Sequence, residues 1–175
     1  MPTRILKDDP IYQACLEEAR KSPCQKKKVG AVLVFDGRPL VAEYNRPSDE
    51  LKQLCDPQCI RLTVPDCDST LSACDHAEER LLLQQLKEGR GPFLEYHDLY
   101  VAALNADGTP ERRVFGQFSC LRCARIILAS GVRTVYTAWL GTYWVSNTPR
   151  EALIHAGDHA LRRLLEQLRS RKPRP

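Results

Sequence analysis

Two short stretches carry residues able to do chemistry: Cys74-Asp75-His76-Ala77-Glu78-Glu79-Arg80 and, farther along, Ser119-Cys120-Leu121-Arg122-Cys123-Ala124-Arg125. A histidine followed two residues on by a glutamate opens one amphipathic segment, and a Cys-x-x-Cys pair opens another. His76, Cys120 and Cys123 make three ligands suited to zinc, and the count is informative. Structural zinc sites are usually closed by four protein ligands, whereas a catalytic site keeps one position for water. Glu78 would then be the base beside that water.

Helical geometry supports one shared centre. If both segments start helices here, Cys120 and Cys123 are three apart and share a face, and the partial positive charge of a helix N-terminus favours thiolates over thiols. Two thiolates and a neutral imidazole balance a divalent cation. His76 and Glu78, two apart, share no face of a regular helix. They can flank one water if His76 lies in the first turn, where the chain is only half committed to helix. Taken singly, a Cys-x-x-Cys pair also suits a redox pair or half of a structural zinc site, and a His-x-Glu pair suits a solvated helix surface. The order and separation of the two favour the metal reading.

The elements that must hold these residues belong to a chain of 175 residues, a length that suits one domain and a sizeable buried core. No disulfide scaffold is needed, so the eight cysteines are better explained by metal or core packing in a reducing compartment. There is no apolar leader of signal-peptide type and no run long enough to span a bilayer, which predicts a cytoplasmic protein without membrane contact. A net charge of +4, from 26 basic and 22 acidic residues, is too mild to argue for nucleic acid, although it is compatible with a phosphorylated substrate.

In chain order, Asp9-Pro10 reads as a helix cap and first position, with Ile11, Ala14, Cys15 and Ala19 at helical spacing and a stop at Ser22-Pro23. Residues 29–35 are a continuous apolar run, the pattern of a buried strand. Asp36-Gly37 then favours a two-residue hairpin turn into a strand over 39–44. The helix opened by His76 continues through Leu81, Leu82, Leu83 and Leu86. Residues 98–104 read as a buried strand, 105–108 as a turn, and 109–118 as a returning arm whose Phe115 and Phe118 either wall a pocket or pack in the core. The Cys120 helix stops at Ser130-Gly131, and 132–137 is another strand. Residues 139–147 read as strand or substrate-facing loop. From Thr148-Pro149 a last helix carries Leu161, Leu164, Leu165 and Leu168 at helical spacing. Strand, hairpin, helix, strand, helix, strand is the order of an α/β sandwich. No repeat or linker interrupts it, so one domain over 1–168 is expected, with a basic, disordered tail over 169–175.

Residues 45–73 show no sustained periodicity, and a long unstructured loop in a compact domain is usually functional. It holds Cys55, Cys59 and Cys67, with Cys74 just after it and Cys24 before the first strand. Five cysteines are available for a four-ligand structural zinc site, and Cys55-x3-Cys59 has suitable spacing. The other reading is buried thiols in a loop ordered by packing.

His-x-Glu followed by Pro-Cys-x-x-Cys, with the glutamate not a ligand, is the signature of zinc deaminases; here Ser119 stands in place of the proline. With Lys21-Ser-Pro-Cys-Gln-Lys-Lys-Lys-Val-Gly-Ala-Val32 and Glu43-Tyr-Asn-Arg-Pro47, the chain resembles the zinc-dependent cytidine and deoxycytidylate deaminase superfamily over roughly residues 10–157, closest to its deoxycytidylate branch. The resemblance implies a three-layer α/β/α fold around a mixed sheet of about five strands. It implies His76, Cys120 and Cys123 as ligands of a catalytic zinc, Glu78 as proton shuttle and Asn45 as a substrate contact. Cys24 and Cys55 match positions that bind a second zinc in several members, with Cys59, Cys67 and Cys74 as candidates to complete it. Arg46 replaces a glycine of the pattern and either meets a substrate phosphate or is a solvated loop arginine. A dozen or so extra residues precede Cys120, and the expected fifth strand is not evident, because the region after Gly157 reads as helix.

The function expected is hydrolytic deamination of a cytosine-type nucleotide or nucleoside, dCMP-like, by attack of zinc-activated water with Glu78 carrying the proton. The alternatives are deamination of another ring (guanine, a tRNA adenosine, a modified pyrimidine) or a non-catalytic zinc-binding scaffold. A homo-oligomer is implied by the resemblance, with the apolar, aromatic residues 135–145 as a candidate surface.

Overall fold

The computed structural model describes residues 6–63, 74–111, 119–139 and 141–170. The arm beyond Glu111 with Phe115 and Phe118, Cys67, and the chain after Ser170 lie outside the described residues.

The first helix, α1 (Pro10–Arg20), begins as the sequence predicts. Asp9 is extended (φ −81, ψ 119), and its carboxylate accepts the backbone N–H groups of Ile11 and Tyr12 at 2.8 and 3.2 Å. Pro10 follows, where its missing N–H costs nothing. Strands β1 (Lys27–Phe35) and β2 (Arg38–Tyr44) form an antiparallel hairpin. Its turn residues Asp36 and Gly37 both take positive φ, 48 and 73, the geometry that matches the twist of the flanking strands.

A two-residue ribbon pairs β3 (Arg46–Pro47) with β4 (Cys74–Asp75). Between them lie a 3-10 helix over Asp49–Cys55 and a single turn, α2 (Ile60–Thr63). Then come α3 (Ala77–Lys87), β5 (Asp98–Asn105), α4 (Leu121–Ser130), β6 (Thr134–Trp139), β7 (Tyr143–Asn147) and α5 (Pro149–Ser170).

The main sheet runs β2-β1-β5-β6-β7. Its one parallel pair is β5 with β6, and parallel neighbours need a crossover, which α4 supplies. Alternation along the strands splits the core in two. Ala31, Leu33, Leu99, Val101 and Val135 pack with α3 and α4, while Val32, Val34, Ala102, Leu104 and Ala138 pack with α1. The result is the expected α/β architecture with a five-stranded mixed sheet. No helix of the described residues is long and apolar enough to cross a membrane.

One open reading is settled and one expectation is corrected. The fifth strand is β7, within the stretch 139–147 that the sequence left open between strand and substrate-facing loop, and it turns back from β6 at Gly141 (φ 67). It was hard to read because it is a half-buried edge strand without clean alternation. Trp144 packs edge-on to Tyr12 and Tyr100 and donates its indole N–H to Asp9 at 3.2 Å. The last helix runs through Ser170, so Arg169 and Ser170 are helical and not tail. Finally, its leucines have helical spacing but no core to enter: Leu161, Leu164 and Leu165 are 55%, 52% and 43% exposed.

One close approach fixes α1 on the sheet. A Cβ at Gly30 would lie 2.0 Å from the Cys15 carbonyl oxygen and 2.8 Å from the Ala19 nitrogen, both backbone atoms. Neither can swing aside, so Gly30→Ala should cost about 3 kcal/mol, the upper end of ordinary overpacking. A thermal melt should show a fall of roughly 10 °C; an unchanged midpoint would contradict this packing.

Candidate active site

The same local device places both motifs. His76 caps α3 in an extended conformation (φ −77, ψ 154) and Cys120 caps α4 likewise (φ −70, ψ 160). Each residue is therefore just outside its helix, its side chain free to turn across the helix end. Glu78 becomes the second helical residue of α3 and Cys123 the third of α4. This settles the spacing problem of the His-x-Glu pair, since His76 does not have to obey helical periodicity.

The three ligand residues converge. Both Cys120 Sγ and Cys123 Sγ lie 3.3 Å from His76 Nδ1, and the three ligand atoms all fall within 4.8 Å of one another. Tetrahedral zinc at ordinary bond lengths sets such nitrogen and sulfur atoms about 3.6 Å apart. The donor set, one imidazole and two thiols, has the borderline-soft character that zinc prefers. The residues fit the ion.

Protonation follows from the same crowding. The Cys120 thiol is lowered to about 4, first by the hydrogen bond from Cys123 and, against burial, by that with His76. Cys123 is pushed well above the ordinary thiol value by that same bond to Cys120, by burial and by the charge of Glu78. Burial presses the His76 imidazole down, but Cys120 and Glu78 outweigh it and leave its pKa raised. Without metal the group thus holds one thiolate and keeps protons on its neighbours. A divalent cation has to displace them, because it takes thiolates and neutral imidazole.

Glu78 is 4% exposed. Its Oε1 accepts a hydrogen bond from the Ser119 hydroxyl at 3.4 Å, so the residue that departs from the proline of the signature touches the carboxylate. Cys123 N–H points at Cys120 Sγ, 3.4 Å away.

Asn45 is buried and already engaged. Its Oδ1 accepts the Val29 N–H at 2.7 Å and its Nδ2 donates to the Lys27 carbonyl at 3.0 Å, which ties the loop after β2 to the start of β1. The backbone of Arg46 pairs with Asp75, next to His76. Its guanidinium, however, lies over the Tyr44 ring, 5.3 Å from the centroid, and donates to the Tyr44 hydroxyl at 3.4 Å.

Four of the five remaining candidate cysteines form a second cluster. Cys24, Cys55, Cys59 and Cys74 line one cavity, with thiol hydrogen bonds linking Cys55 to Cys74, Cys55 to Cys59 and Cys74 to Cys24. The backbone around them is pinned: Ser22 Oγ accepts the Cys24 N–H at 3.2 Å and Gln25 Oε1 accepts the Cys59 N–H at 3.1 Å. Burial, then the charge of Cys59, raises the Cys55 thiol. The bond to Cys24, then burial, raises Cys74. Cys15, by contrast, is fully buried on the sheet-facing side of α1, in the other half of the core. Spacing alone could not choose among the five. Nor did it single out Arg122, whose only sequence signal is a place inside the second motif, and it marked Ser119 only as a departure from the signature.

The sequence model for the cytidine and deoxycytidylate deaminase zinc-binding region matches residues 6–139. No curated protein matches significantly. Among solved structures, the chain is similar to dCMP deaminase from the cyanophage S-TIM5 in apo form, with 18% identity and TM-score 0.48 over 84% of this chain and 92% of the other. It is also similar to a mutant cytidine deaminase from Mycobacterium tuberculosis, with 16% identity and TM-score 0.37 over 71% and 79%. At that level these likenesses decide nothing about substrate. The sequence match covers more than half of the chain and contains every residue of the three-ligand group: the protein belongs to the cytidine and deoxycytidylate deaminase zinc-binding family.

Proposed function

We propose that the protein is a zinc-dependent hydrolytic deaminase of a cytosine-type nucleotide or nucleoside, dCMP-like in substrate. The observation that carries the reading is a buried carboxylate, Glu78, beside a three-ligand group and not a member of it. A structural site closes with four ligands and has no use for a base.

His76, Cys120 and Cys123 would hold the ion, which when bound acidifies a water towards neutral pH. Glu78 takes the proton given up as oxygen adds to C4 of the ring. It passes that proton to the ring nitrogen and then carries a second, from the hydroxyl now on C4, to the departing amine, so that ammonia leaves neutral and a carbonyl remains. Ser119 steadies the Glu78 carboxylate meanwhile. Asn45 spends one lone pair and one N–H on β1, which leaves one of each to meet sugar or base edge. Arg46 can leave the Tyr44 ring for a substrate phosphate, a charge-assisted pair stronger than its present contacts.

Glu78→Ala is expected to keep the fold and the catalytic zinc while ammonia release falls by about 10²–10⁴-fold. The assay should run dCMP, cytidine, dCTP and guanine in parallel. Normal turnover by the variant would falsify the role of Glu78, and turnover of guanine alone would move the substrate to another ring.

We infer further that Cys24, Cys55, Cys59 and Cys74 take a second, structural zinc. Four thiols joined in a hydrogen-bonded chain, Cys24 to Cys74 to Cys55 to Cys59, cannot all ionise unless a cation offsets them, and a closed four-sulfur site is the usual structural solution. Elemental analysis of protein purified without added zinc should give two ions per chain, and Cys55→Ser should leave one.

The raised pKa values of His76 and Cys123 give the sign of a pH effect. Both groups bind protons in the metal-free state and must release them to the ion, so zinc retention against a chelator should strengthen as pH rises through neutrality. Retention that is flat or falls with pH would mean that these two residues are not ligands.

A further inference from the structure

The residues of the three-ligand group stand at the starts of two helices, α3 and α4, that are separated in the chain by β5, and His76 stands in the joint between a two-residue strand and the first turn of α3. Something has to fix that joint relative to Cys120 and Cys123. We propose that Arg122 is a positioning residue that locks His76 into the ligand triangle, a role that rests on reading this triangle as a metal centre.

Arg122 is the residue between the two cysteines on the side of Cys123, the second helical position of α4. Its side chain crosses to α3 and grips the chain on both sides of the histidine. Nη2 lies 2.6 Å from Glu79 Oε2 and donates to the Cys74 carbonyl at 3.1 Å. The same Glu79 oxygen faces the His76 backbone N–H at 3.5 Å. One guanidinium therefore restrains the residue two before the ligand and the residue three after it.

The pair is sheltered, with side chains 28% and 15% exposed for Arg122 and Glu79, so it is less screened than a surface ion pair. A second arginine braces the outer side, where Arg80 reaches Asp75 at 3.5 Å and Glu43 of β2 at 3.3 Å. Arg80, however, holds α3 to the sheet. Arg122 alone among these links the helix of the cysteines to the segment of the histidine. It also reaches Cys74 of the thiol cluster, so the two cysteine groups share one strut.

Holding a ligand in place before the ion arrives removes part of the ordering cost of binding. Loss of such an outer partner of a metal ligand typically weakens affinity by roughly 10- to 100-fold. Both contacts run through Nη2, so a lysine ammonium would keep the charge and part of the grip without the rigid planar head that holds that nitrogen in place.

The test uses the full chain and three variants, Arg122→Met, Arg122→Lys and Glu79→Gln. Three quantities are read without substrate: zinc affinity by chelator competition, the visible spectrum of the cobalt-loaded protein, and the melting temperature of the metal-free protein. The expected result is a roughly 10- to 100-fold weaker catalytic zinc in Arg122→Met, a smaller loss in the two milder variants, and a cobalt spectrum altered by a loosened imidazole. Unchanged affinity overturns the proposal. So does weaker affinity with an unaltered cobalt spectrum and a matching fall in metal-free stability, which would make Arg122 a mere staple between helices. If Arg122→Met does not fold, the two milder variants decide. Because no substrate is present, a chain that binds zinc but deaminates nothing would refute the proposed function and leave this test standing.

Discussion

Two helix N-termini converge on one point in this structure, and that convergence sets the demands on the rest. Each N-terminus carries partial positive charge and unpaired N–H groups, so the ends of α3 and α4 repel unless negative charge sits between them. The thiolate of Cys120 and the carboxylate of Glu78 supply it. Sulfur and oxygen that are costly to bury as anions are favoured where two helix dipoles face them. The sheet makes the convergence possible. Because β5 and β6 are parallel, α4 must start beyond the end of β5 and run back to the start of β6, which carries Cys120 to the same end of the sheet as the loop after β2.

The thiol cluster answers a different demand. Among the described residues of the segment between β2 and α3, Leu51, Leu54 and Leu62 are exposed and add little to a core. Four thiols with pinned backbones offer another source of order, and because Cys74 is two residues from His76, order there reaches the catalytic ligand through a single short strand. Metal binding at either group would then also be folding free energy for the other.

The sequence was most legible where local physics and tertiary packing agree. Asp9-Pro10 caps a helix in any context, Asp36-Gly37 turns a hairpin by backbone preference alone, and the apolar run before it has one home, in a sheet. The metal triad was legible for the same reason: ligand chemistry restricts which residue types can stand together. Legibility failed where a residue's role depends on what crosses from elsewhere. Periodicity placed Leu161, Leu164 and Leu165 on one face of a helix but could not say whether anything covers that face. The edge strand β7 was obscured because its aromatic residues serve α1 as well as the sheet. The pattern match to Asn45 pointed to substrate, and the structure shows its side chain bridging two backbone groups of β1.

Consecutive glutamates at 78 and 79 show how finely position divides labour. Both are short steps from the same histidine, yet Glu79 faces a guanidinium at 2.6 Å and Glu78 a neutral hydroxyl at 3.4 Å. A carboxylate in an ion pair must give up its partner to accept a proton, which suits it to hold structure. A carboxylate met, among the described residues, by a neutral hydroxyl can take a proton and return it without breaking an ion pair. Serine in place of the signature proline fits this division. Proline would fix its own φ but offer no donor, whereas Ser119 offers a hydroxyl that steadies Glu78 and can rotate as the charge on the carboxylate changes. The chain thus places its ion pair on Glu79, one residue away from Glu78, and among the described residues sets a weaker hydroxyl contact on Glu78 itself.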